Sequence, residues 1–427
     1  MQSDGARVRL RRAAMALAVC CLVWAVARER PVMSAEAPAE VRALWVLRTS
    51  LTTPAAIAAL VRTARQRGFN TLLVQVRGRG DAYYDSALEP RATDLIRQPS
   101  NFDPLATVIR EAHDGGLRVH AWINLNFVSS AAELPPSRDH LVYRHPEWLM
   151  VPREIAQDVA KLDATSPAYI GKLARWTRGQ SETIEGLYAS PLQPDAAKYA
   201  ETVVADIATR YEVDGIHLDY ARYPNDQFDY SRYAIAEFRA EIRPQLAAPL
   251  RAALDRQQEI DLFAYPDRFP AEWTTFRRAR MSALMMRLRT RVKTARPGTM
   301  MTVAATPDAQ EAFDHRLQDW RTWIESGFVD AICPMAYTQE PGRFAEQIAA
   351  ARDIAGGHAI WAGIGAYRLT PAETVDNIWT TRRLGTGGFV LFSYDSLTGP
   401  TQPSDYLATV SRSAFGAMRS TESGSSR

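Results

Sequence analysis

The sequence has few cysteines and almost no net charge. It contains 3 cysteines in 427 residues, and 51 basic side chains nearly balance 48 acidic ones, which leaves a formal charge of +3. So few cysteines exclude a disulfide-rich scaffold, and so small a charge gives no reason to expect a nucleic-acid partner. The long apolar runs of a polytopic membrane protein are also missing. With 46% hydrophobic and 23% charged residues, the composition is typical of a globular protein.

The first 27 residues differ from the rest and predict a secretory signal peptide. Four arginines between positions 7 and 12 precede an apolar run over 13–27, which ends in Ala25-Val26-Ala27. A basic start, a short apolar centre and a small-residue exit are the pattern of a cleaved leader, and the run is shorter than the ~20 residues that span a bilayer. An uncleaved anchor is the alternative. We expect a periplasmic or secreted protein with no stable membrane span after cleavage.

Removal of this leader changes the net charge and the number of cysteines. It takes away four arginines and one aspartate, so the mature chain is neutral, and it takes away Cys20 and Cys21. Cys333 is then the single cysteine, and we expect it to be a small buried residue. Without a disulfide, stability must come from a large core. We expect a linker over 28–40, one domain over 41–415 and a disordered, polar tail over 416–427.

Eight short runs rich in branched apolar residues alternate with helical patterns along the domain. The runs cover 41–47, 71–76, 117–123, 214–218, 300–305, 330–335, 359–364 and 388–392. The helical patterns cover 54–67, 103–114, 196–211, 272–295, 317–326, 343–355 and 371–384. Such alternation indicates a parallel sheet with crossover helices, and strands buried on both faces give continuous apolar runs. The sequence therefore predicts an α/β fold, a (β/α)₈ TIM barrel.

Two segments, 125–195 and 220–271, break the even spacing of the pattern. They follow the third and fourth strands, so they belong to the carboxyl-terminal face of the barrel, where active sites of this fold lie. Both are rich in aromatic side chains. We expect them to form a binding cleft; surface insertions without a role are the alternative.

Polar side chains at the strand ends are the candidate site residues, because burying them without a role would cost stability. Asp219 closes the fourth strand and is the first candidate for a catalytic acid or nucleophile, with an ion pair to Arg222 or Arg77 as the alternative. Glu340 and Asp395, which also lie beyond strand ends and follow aromatic residues, are the first candidates for a second catalytic carboxylate. Strand alternation and position predict a larger set of substrate-binding residues: Gln75, Arg77, Asp81, His120, Trp122, Asn124, His217, Tyr223, Tyr337 and Tyr394.

Cofactors receive little support from the sequence. His120, His217 and Asp219 together would make a divalent metal site, but no HxH or HExxH spacing accompanies them, so hydrogen-bonding histidines are the preferred interpretation. The glycines at 78 and 80 are too closely spaced for a phosphate loop, and no GxxxxGK[ST] motif occurs. We predict neither a metal nor a cofactor.

Seven stretches carry a family resemblance in combination. They are VRALWV (41–46), GFNTLLVQVRGRGDAYYDSALEP (68–90), FDPLATVIREAHDGGLRVHAWIN (102–124), HPEWL (145–149), YEVDGIHLDYARYP (211–224), VDAICPMAY (329–337) and GGFVLFSYDSL (387–397). Over 41–397 the chain resembles the bacterial glycosyl-hydrolase-like family ten, exported barrel proteins. The resemblance implies a (β/α)₈ barrel and glycosidase activity, and some members are thought to cleave peptidoglycan glycan strands that lack peptides.

The fourth-strand motif is also similar to DGxDxDxE of the chitinase-like family eighteen. Asp214, Gly215 and Asp219 match it, whereas His217 replaces the middle aspartate and Ala221 replaces the catalytic glutamate. The resemblance therefore carries over Asp219 but no complete acid/base pair.

Three hypotheses follow: a glycoside hydrolase acting on an amino-sugar polysaccharide such as peptidoglycan glycan, a non-catalytic glycan-binding barrel, and a metal-dependent hydrolase.

Overall fold

Eight parallel strands close into a barrel in the computed structural model, which describes residues 40–422. In chain order the strands are β1 (Val41–Val46), β2 (Thr71–Arg77), β3 (Arg118–Asn124), β4 (Phe127–Ser130), β5 (Gly186–Tyr188), β6 (Gly215–Asp219), β7 (Met300–Ala305), β8 (Ala331–Ala336), β9 (Ala359–Ile364) and β10 (Gly388–Leu391). The barrel order is β1-β10-β9-β8-β7-β6-β3-β2, and β4 pairs with β5 outside it. The predicted (β/α)₈ barrel is confirmed, and each predicted strand lies within one residue of its observed bounds.

Helices cover the outside of the barrel and begin where the sequence offers a cap. Thr53 Oγ1 accepts the N–H of Ala56 at 3.0 Å, and Asp103 Oδ1 accepts that of Ala106 at the same distance, each one residue before a proline that starts the helix. The helices of the described residues are Pro54–Gln66, Pro104–Asp114, Leu141–Arg144, Arg153–Val159, Pro167–Gly179, Pro194–Arg210, Arg232–Ile242, Ala248–Gln258, Ala264–Arg268, Pro270–Ala295, Ala309–Asp314, Trp320–Glu325, Pro341–Ala355, Pro371–Arg383, Tyr394–Leu397 and Tyr406–Glu422. Short 3₁₀ segments occur at Arg48–Leu51, Thr93–Leu95, Pro146–Trp148, Arg243–Gln245 and Ala366–Arg368.

The barrel interior is filled by large side chains from alternating strand positions. Trp45, Trp122 and Trp361 pack there with Val390 and Cys333, all of them buried. Burial raises the pKa of the Cys333 thiol, so this cysteine is an inert core residue, as expected. The interior is therefore packed, and only its carboxyl-terminal end is left for a site.

The two insertions form a second apolar cluster beside the barrel. Segment 125–195 contributes β4, β5 and residues such as Leu173, while segment 220–271 contributes Phe238 and Tyr265. Trp273, at the start of the long helix Pro270–Ala295, joins them. The insertions thus pack against each other and form a rigid wall rather than separate loops.

Several predictions about the chain ends fall wholly or partly outside the described residues. The signal peptide over 1–27 lies outside them, as does the linker over 28–40 except for its last residue. Within 40–422, no helix is both long and apolar enough to cross a bilayer. The final helix, Tyr406–Glu422, extends into the segment predicted as a tail over 416–427, and residues 423–427 again lie outside the described part.

Gly215 lies where two barrel strands enclose a histidine. It pairs in register with His120 of β3, and a Cβ atom at Gly215 would lie 2.2 Å from His120 Nδ1. The preceding Asp214 accepts the N–H of Val119 at 2.8 Å and contacts His113 Nε2 at 2.9 Å, so it ties β6 to the start of β3. Glycine is therefore required at 215 by close packing inside the barrel.

We predict that Gly215→Ala destabilises the protein by about 1–3 kcal/mol, because an added methyl group overpacks a filled interior. Gly342→Ala is the matched control, since no atom lies within 4 Å of a Cβ built at this exposed helical position; alanine there should be neutral or stabilising by up to about 1 kcal/mol. Urea denaturation of both variants measures the two effects. Equal midpoints for Gly215→Ala and wild type would contradict the packing argument.

Candidate active site

A cavity of about 490 Å³ lies at the end of the barrel where the carboxyl ends of the strands meet. It is the position at which this fold carries its active sites. Of the predicted site residues, the structure brings five together in its lining: Gln75, Trp122, Asn124, Asp219 and Tyr337. Further lining residues that the sequence reasoning missed include Trp45, Arg48, Arg79, Phe127, Glu185, Tyr220, Arg222 and Phe392.

Asp219 is a buried carboxyl group at the bottom of this cavity. It ends β6 and is 8% exposed, and its Oδ1 accepts the N–H of Tyr220 at 2.6 Å. Burial raises the pKa of Asp219 to about 6, and the charge of Glu185 adds to the rise, while the charge of Arg222 and the Tyr220 N–H oppose it. The group therefore keeps its proton in mildly acidic solution, as a general acid must.

Glu185 is the second carboxylate of the cavity. Its Oε2 accepts the hydroxyl of Tyr188 at 2.8 Å, and its Oε1 lies 3.2 Å from Arg222 Nη2. Partial burial pushes the pKa of Glu185 upward, but the Arg222 charge and the hydrogen bonds outweigh it, so the pKa lies below its usual value. Glu185 is thus ionised under conditions in which Asp219 is protonated.

Arg222 forms its ion pair with Glu185 rather than with Asp219. Its guanidinium also lies over the ring of Tyr220, 4.5 Å from the centroid, and that ring stacks on Phe127 at 4.7 Å. Tyr220 adopts a positive φ of 51°, a left-handed conformation that costs a non-glycine residue on the order of 1 kcal/mol and is concentrated at functional sites. Phe127, Tyr220 and Arg222 together form one side wall of the cavity.

His217 supports the floor of the cavity from below. Its Nε2 accepts the indole N–H of Trp45 at 2.9 Å, so its Nδ1 carries the proton and donates to Thr302 Oγ1, also at 2.9 Å. Complete burial keeps the pKa of His217 well below its usual value, and the ring is neutral. The Trp45 ring lies edge-on to Tyr337 and Phe392, with centroids 6.2 and 6.0 Å apart. The result is an aromatic floor of the kind that packs against sugar rings.

Trp122 and Asn124 are held by each other and by the loop after β2. The indole N–H of Trp122 donates to Asn124 Oδ1 at 2.8 Å, and Asn124 Nδ2 donates to the carbonyl of Gly78 at 2.8 Å. Gln75 Oε1 accepts from Arg48 Nη1 at 3.2 Å. These polar side chains are therefore oriented before any ligand enters, which lowers the entropic cost of binding.

Arg77 lies outside the cavity, in a buried ion pair. Its Nε is 2.7 and 2.9 Å from the two carboxylate oxygens of Glu89, and its Nη1 donates to the carbonyls of Asn124 and Leu125. These contacts engage Nε and Nη1 of the guanidinium, and they tie the loop after β2 to the end of β3. Asp81, also predicted to bind substrate, lies outside the main cavity and accepts the N–H of Arg79.

Glu340 and Asp395, expected as second carboxylates, are also placed elsewhere. Asp395 holds the segment after β1, since its Oδ2 accepts the N–H of Leu47 at 2.7 Å and its Oδ1 accepts the hydroxyls of Thr49 and Ser50 at 2.9 and 2.7 Å. Glu340 is exposed and precedes the helix Pro341–Ala355. Neither side chain lines the cavity, so Glu185 takes their place as the candidate.

The remaining predicted site residues lie in the packed interior. Tyr223 is fully buried with its hydroxyl donating to the carbonyl of Arg277 at 3.3 Å, and Tyr394 is 8% exposed in a short helix. His120 is buried with its ring 5.4 Å from that of Trp361, and burial lowers its pKa to about 4. Since His217 uses both ring nitrogens, the metal set of His120, His217 and Asp219 loses a ligand, and residues 40–422 contain no cluster of three or more potential ligands.

A closed parallel barrel with two carboxylates and an aromatic floor at its carboxyl-terminal end is an arrangement that glycoside hydrolases use. The solved structures that resemble it agree on the fold. The glycoside hydrolase domain of PgaB (BpsB) from Bordetella bronchiseptica matches with a TM-score of 0.61 at 16% identity, over 88% of this chain and 99% of that one. A beta-galactosidase from Marinomonas ef1 matches with a TM-score of 0.59 at 12% identity, over 89% of this chain and 60% of that one.

The chain belongs to the glycosyl hydrolase-like 10 family, whose model matches residues 40–381. The resemblance seen in its sequence motifs is thereby confirmed. Glycosyl hydrolase YngK of Bacillus subtilis is 25% identical over 300 residues, which cover 65% of this chain and 48% of that protein. Glycosyl hydrolase DigH of Escherichia coli K12 is 24% identical over 294 residues, or 63% and 55%. The chain spans about half the length of these curated relatives.

We predict that the stability difference between Asp219→Asn and wild type depends on pH. The raised pKa of Asp219 means that the folded state binds this proton more tightly than the unfolded state. The resulting stability is present below the unfolded pKa of about 3.9 and is lost as the pH rises through about 6. Wild type should therefore lose about 2–3 kcal/mol relative to Asp219→Asn between pH 4 and pH 8, measured by denaturant unfolding.

The same substitution at an exposed position provides the control. Asp114 is exposed at the end of the helix Pro104–Asp114, so Asp114→Asn makes the same chemical change without removing a buried carboxyl group. If Asp219→Asn behaves as this control does, the carboxyl group of Asp219 is not desolvated in the folded protein.

Proposed function

We propose that this protein is an exported glycoside hydrolase that cleaves an amino-sugar polysaccharide, namely the glycan strands of peptidoglycan, with Asp219 as the proton donor. The observation that carries the proposal is that one cavity holds two carboxyl groups in different surroundings: Asp219 is buried, whereas Glu185 lies 3.2 Å from the guanidinium of Arg222. Burial raises the pKa of Asp219, and Arg222 with its accompanying hydrogen bonds lowers that of Glu185. Such a divergence marks the acid and the ionised partner of a carboxylate pair.

The chemistry requires both protonation states at once. The oxygen of the leaving sugar takes a proton as the glycosidic bond breaks, and protonated Asp219 supplies it. Positive charge develops on the sugar ring in an oxocarbenium-like transition state, and the ionised Glu185 stabilises that charge or activates the water that replaces the leaving group. Ala221 stands where family eighteen has its catalytic glutamate, so Glu185 supplies from the insertion a carboxylate that the strand motif lacks.

The nature of the substrate is supported by the walls of the cavity and by the family. Tyr337 and Phe392 are partly exposed and offer apolar faces to the cavity on which sugar rings can stack, and the buried Trp45 and Trp122 pack against them. The resemblance to a family with members thought to cleave peptide-free peptidoglycan strands favours that polymer. The secretory leader predicted over 1–27 favours export to the cell envelope, where such strands lie.

We predict that Asp219→Asn lowers the release of reducing ends from peptide-free peptidoglycan strands by about 10²–10⁴-fold, the usual contribution of a positioned general acid. Glu185→Gln should cause a loss of comparable size. Glu340→Gln is the matched control, because it neutralises an exposed carboxylate outside the cavity and should keep wild-type activity. Circular dichroism and thermal unfolding verify that each variant is folded.

Undiminished activity in Asp219→Asn would contradict its assignment as the acid. Saturable binding of the strands by wild type with no release of reducing ends would instead support the non-catalytic glycan-binding barrel. In that case Tyr337→Ala or Trp122→Ala should abolish binding, while Asp219→Asn should not.

A further inference from the structure

Two arginines lie where the main cavity joins a second one. The second cavity has a volume of about 220 Å³ and is lined by the loop after β2 and the segment after β4. Arg48, Arg79 and Ser130 line both cavities. The two cavities are therefore parts of one cleft, and a polymer chain running through it passes between these side chains.

Neither guanidinium has a contacting counter-ion among the described residues. In the described part of the chain, no ion pair joins Arg48 or Arg79 to a carboxylate, and the side chain of Arg48 donates only to the amide oxygen of Gln75. Arg48 and Arg79 line the same two cavities, and partial burial with the charge of Arg48 lowers the pKa of Arg79, which the charges of Asp81 and Asp94 offset only in part. Like charges brought together in this way cost free energy unless an anion joins them.

The backbone around these arginines is built to hold them in place. The N–H of Arg79 donates to Asp81 Oδ1 at 2.9 Å, and its carbonyl accepts from His140 Nε2 at 2.7 Å. Arg48 lies across Gly78, where a Cβ atom would come within 2.7 Å of its Nη1. The main chain of the loop is thus fixed on both sides of Arg79, and the side chain remains available to the cleft.

On the side of the main cavity, the carboxylates do not balance the positive charges of Arg48 and Arg79. There, Glu185 is paired with Arg222, and the raised pKa of Asp219 keeps it neutral in mildly acidic solution. The second cavity has acids of its own, namely Asp81, Asp94 and Glu133. The charges of Asp81 and Asp94 act on Arg79 from that side, and the Arg79 N–H and the Tyr83 hydroxyl hydrogen-bond to these carboxylates. An anion therefore finds its most favourable position at the junction, facing the main cavity.

We propose that Arg48 and Arg79 form a subsite that binds a carboxylate carried by the sugar chain, so that the substrate is a polysaccharide with an acidic group on its repeating unit. This inference rests on the proposed function and specifies the substrate. Guanidinium groups bind carboxylates through paired, charge-assisted hydrogen bonds. Peptide-free peptidoglycan strands offer such a group, because the lactyl ether on every second sugar ends in a free carboxylate.

The test uses two polymers that differ only in this group: peptide-free peptidoglycan strands, and the same strands after chemical reduction of their carboxylates to alcohols. Arg48→Gln, Arg79→Gln and the double variant should raise KM for the native strands at least tenfold, with a smaller change in kcat. On the reduced strands, these variants and wild type should have equal kcat/KM. Arg79→Lys should retain part of the preference, since it keeps the charge and loses the paired geometry.

Arg110→Gln is the matched control, because it removes one positive charge from an exposed position on the outer helix Pro104–Asp114. It should leave KM for both polymers unchanged. Equal losses on the native and the reduced strands, or no loss on either, would overturn the subsite. Absence of hydrolysis by wild type would count against the proposed function instead. In that case, calorimetry of the binding of the two polymers would still test the subsite. A preference of wild type for the native strands that Arg79→Gln lacks would support it, and equal preferences would overturn it.

Discussion

The burial of one carboxyl group at the end of the barrel determines the chemistry of the site. A charged carboxylate loses its hydration when it is buried, so the protonated form of Asp219 is favoured. The burial itself follows from the closed ring of strands, because the end of each strand adds a wall to the same small space. Trp45 completes the floor; its indole N–H donates to His217, which in turn donates to Thr302.

The barrel alone would give the cavity a single carboxylate. The second, Glu185, comes from the first insertion, immediately before β5, and Arg222 from the segment after β6 keeps it ionised. The position of Glu185 therefore depends on the pairing of β5 with β4 and on the apolar cluster that the two insertions share. The insertions are part of the catalytic arrangement that we propose, and their rigidity matters for it.

The fold could be predicted because the barrel strands are buried on both faces, and because helices such as Pro54–Gln66 and Pro104–Asp114 begin with a capping side chain followed by a proline. The alternation of side chains also placed Gln75, Trp122, Asn124 and Asp219 correctly in the cavity. Alternation also predicted that Arg77 would share the face of Gln75, and this was wrong. The pairing of β2 with β3 shifts register between these two residues, and Arg77 does not line the cavity. A break in alternation of this kind has no signal in the residue types themselves.

Other positions depend on contacts between distant parts of the chain. Asp395 does follow the last barrel strand, but closure of the barrel brings it to the segment after β1, whose amide and hydroxyls occupy both of its oxygens. Glu185 lies in an insertion without a periodic pattern, and only the β4–β5 pairing brings it to the cavity. Strand ends thus indicate which face carries the site, whereas the choice among the carboxylates there depends on tertiary partners.

The pH dependence of kcat/KM on peptide-free peptidoglycan strands tests the central claim most directly. If Asp219 donates the proton, kcat/KM must fall on the alkaline side with an apparent pKa near 6, the value to which burial raises this carboxyl group. A rate that stays constant or rises between pH 5 and pH 8 would contradict the claim that a buried, protonated Asp219 is the catalytic acid.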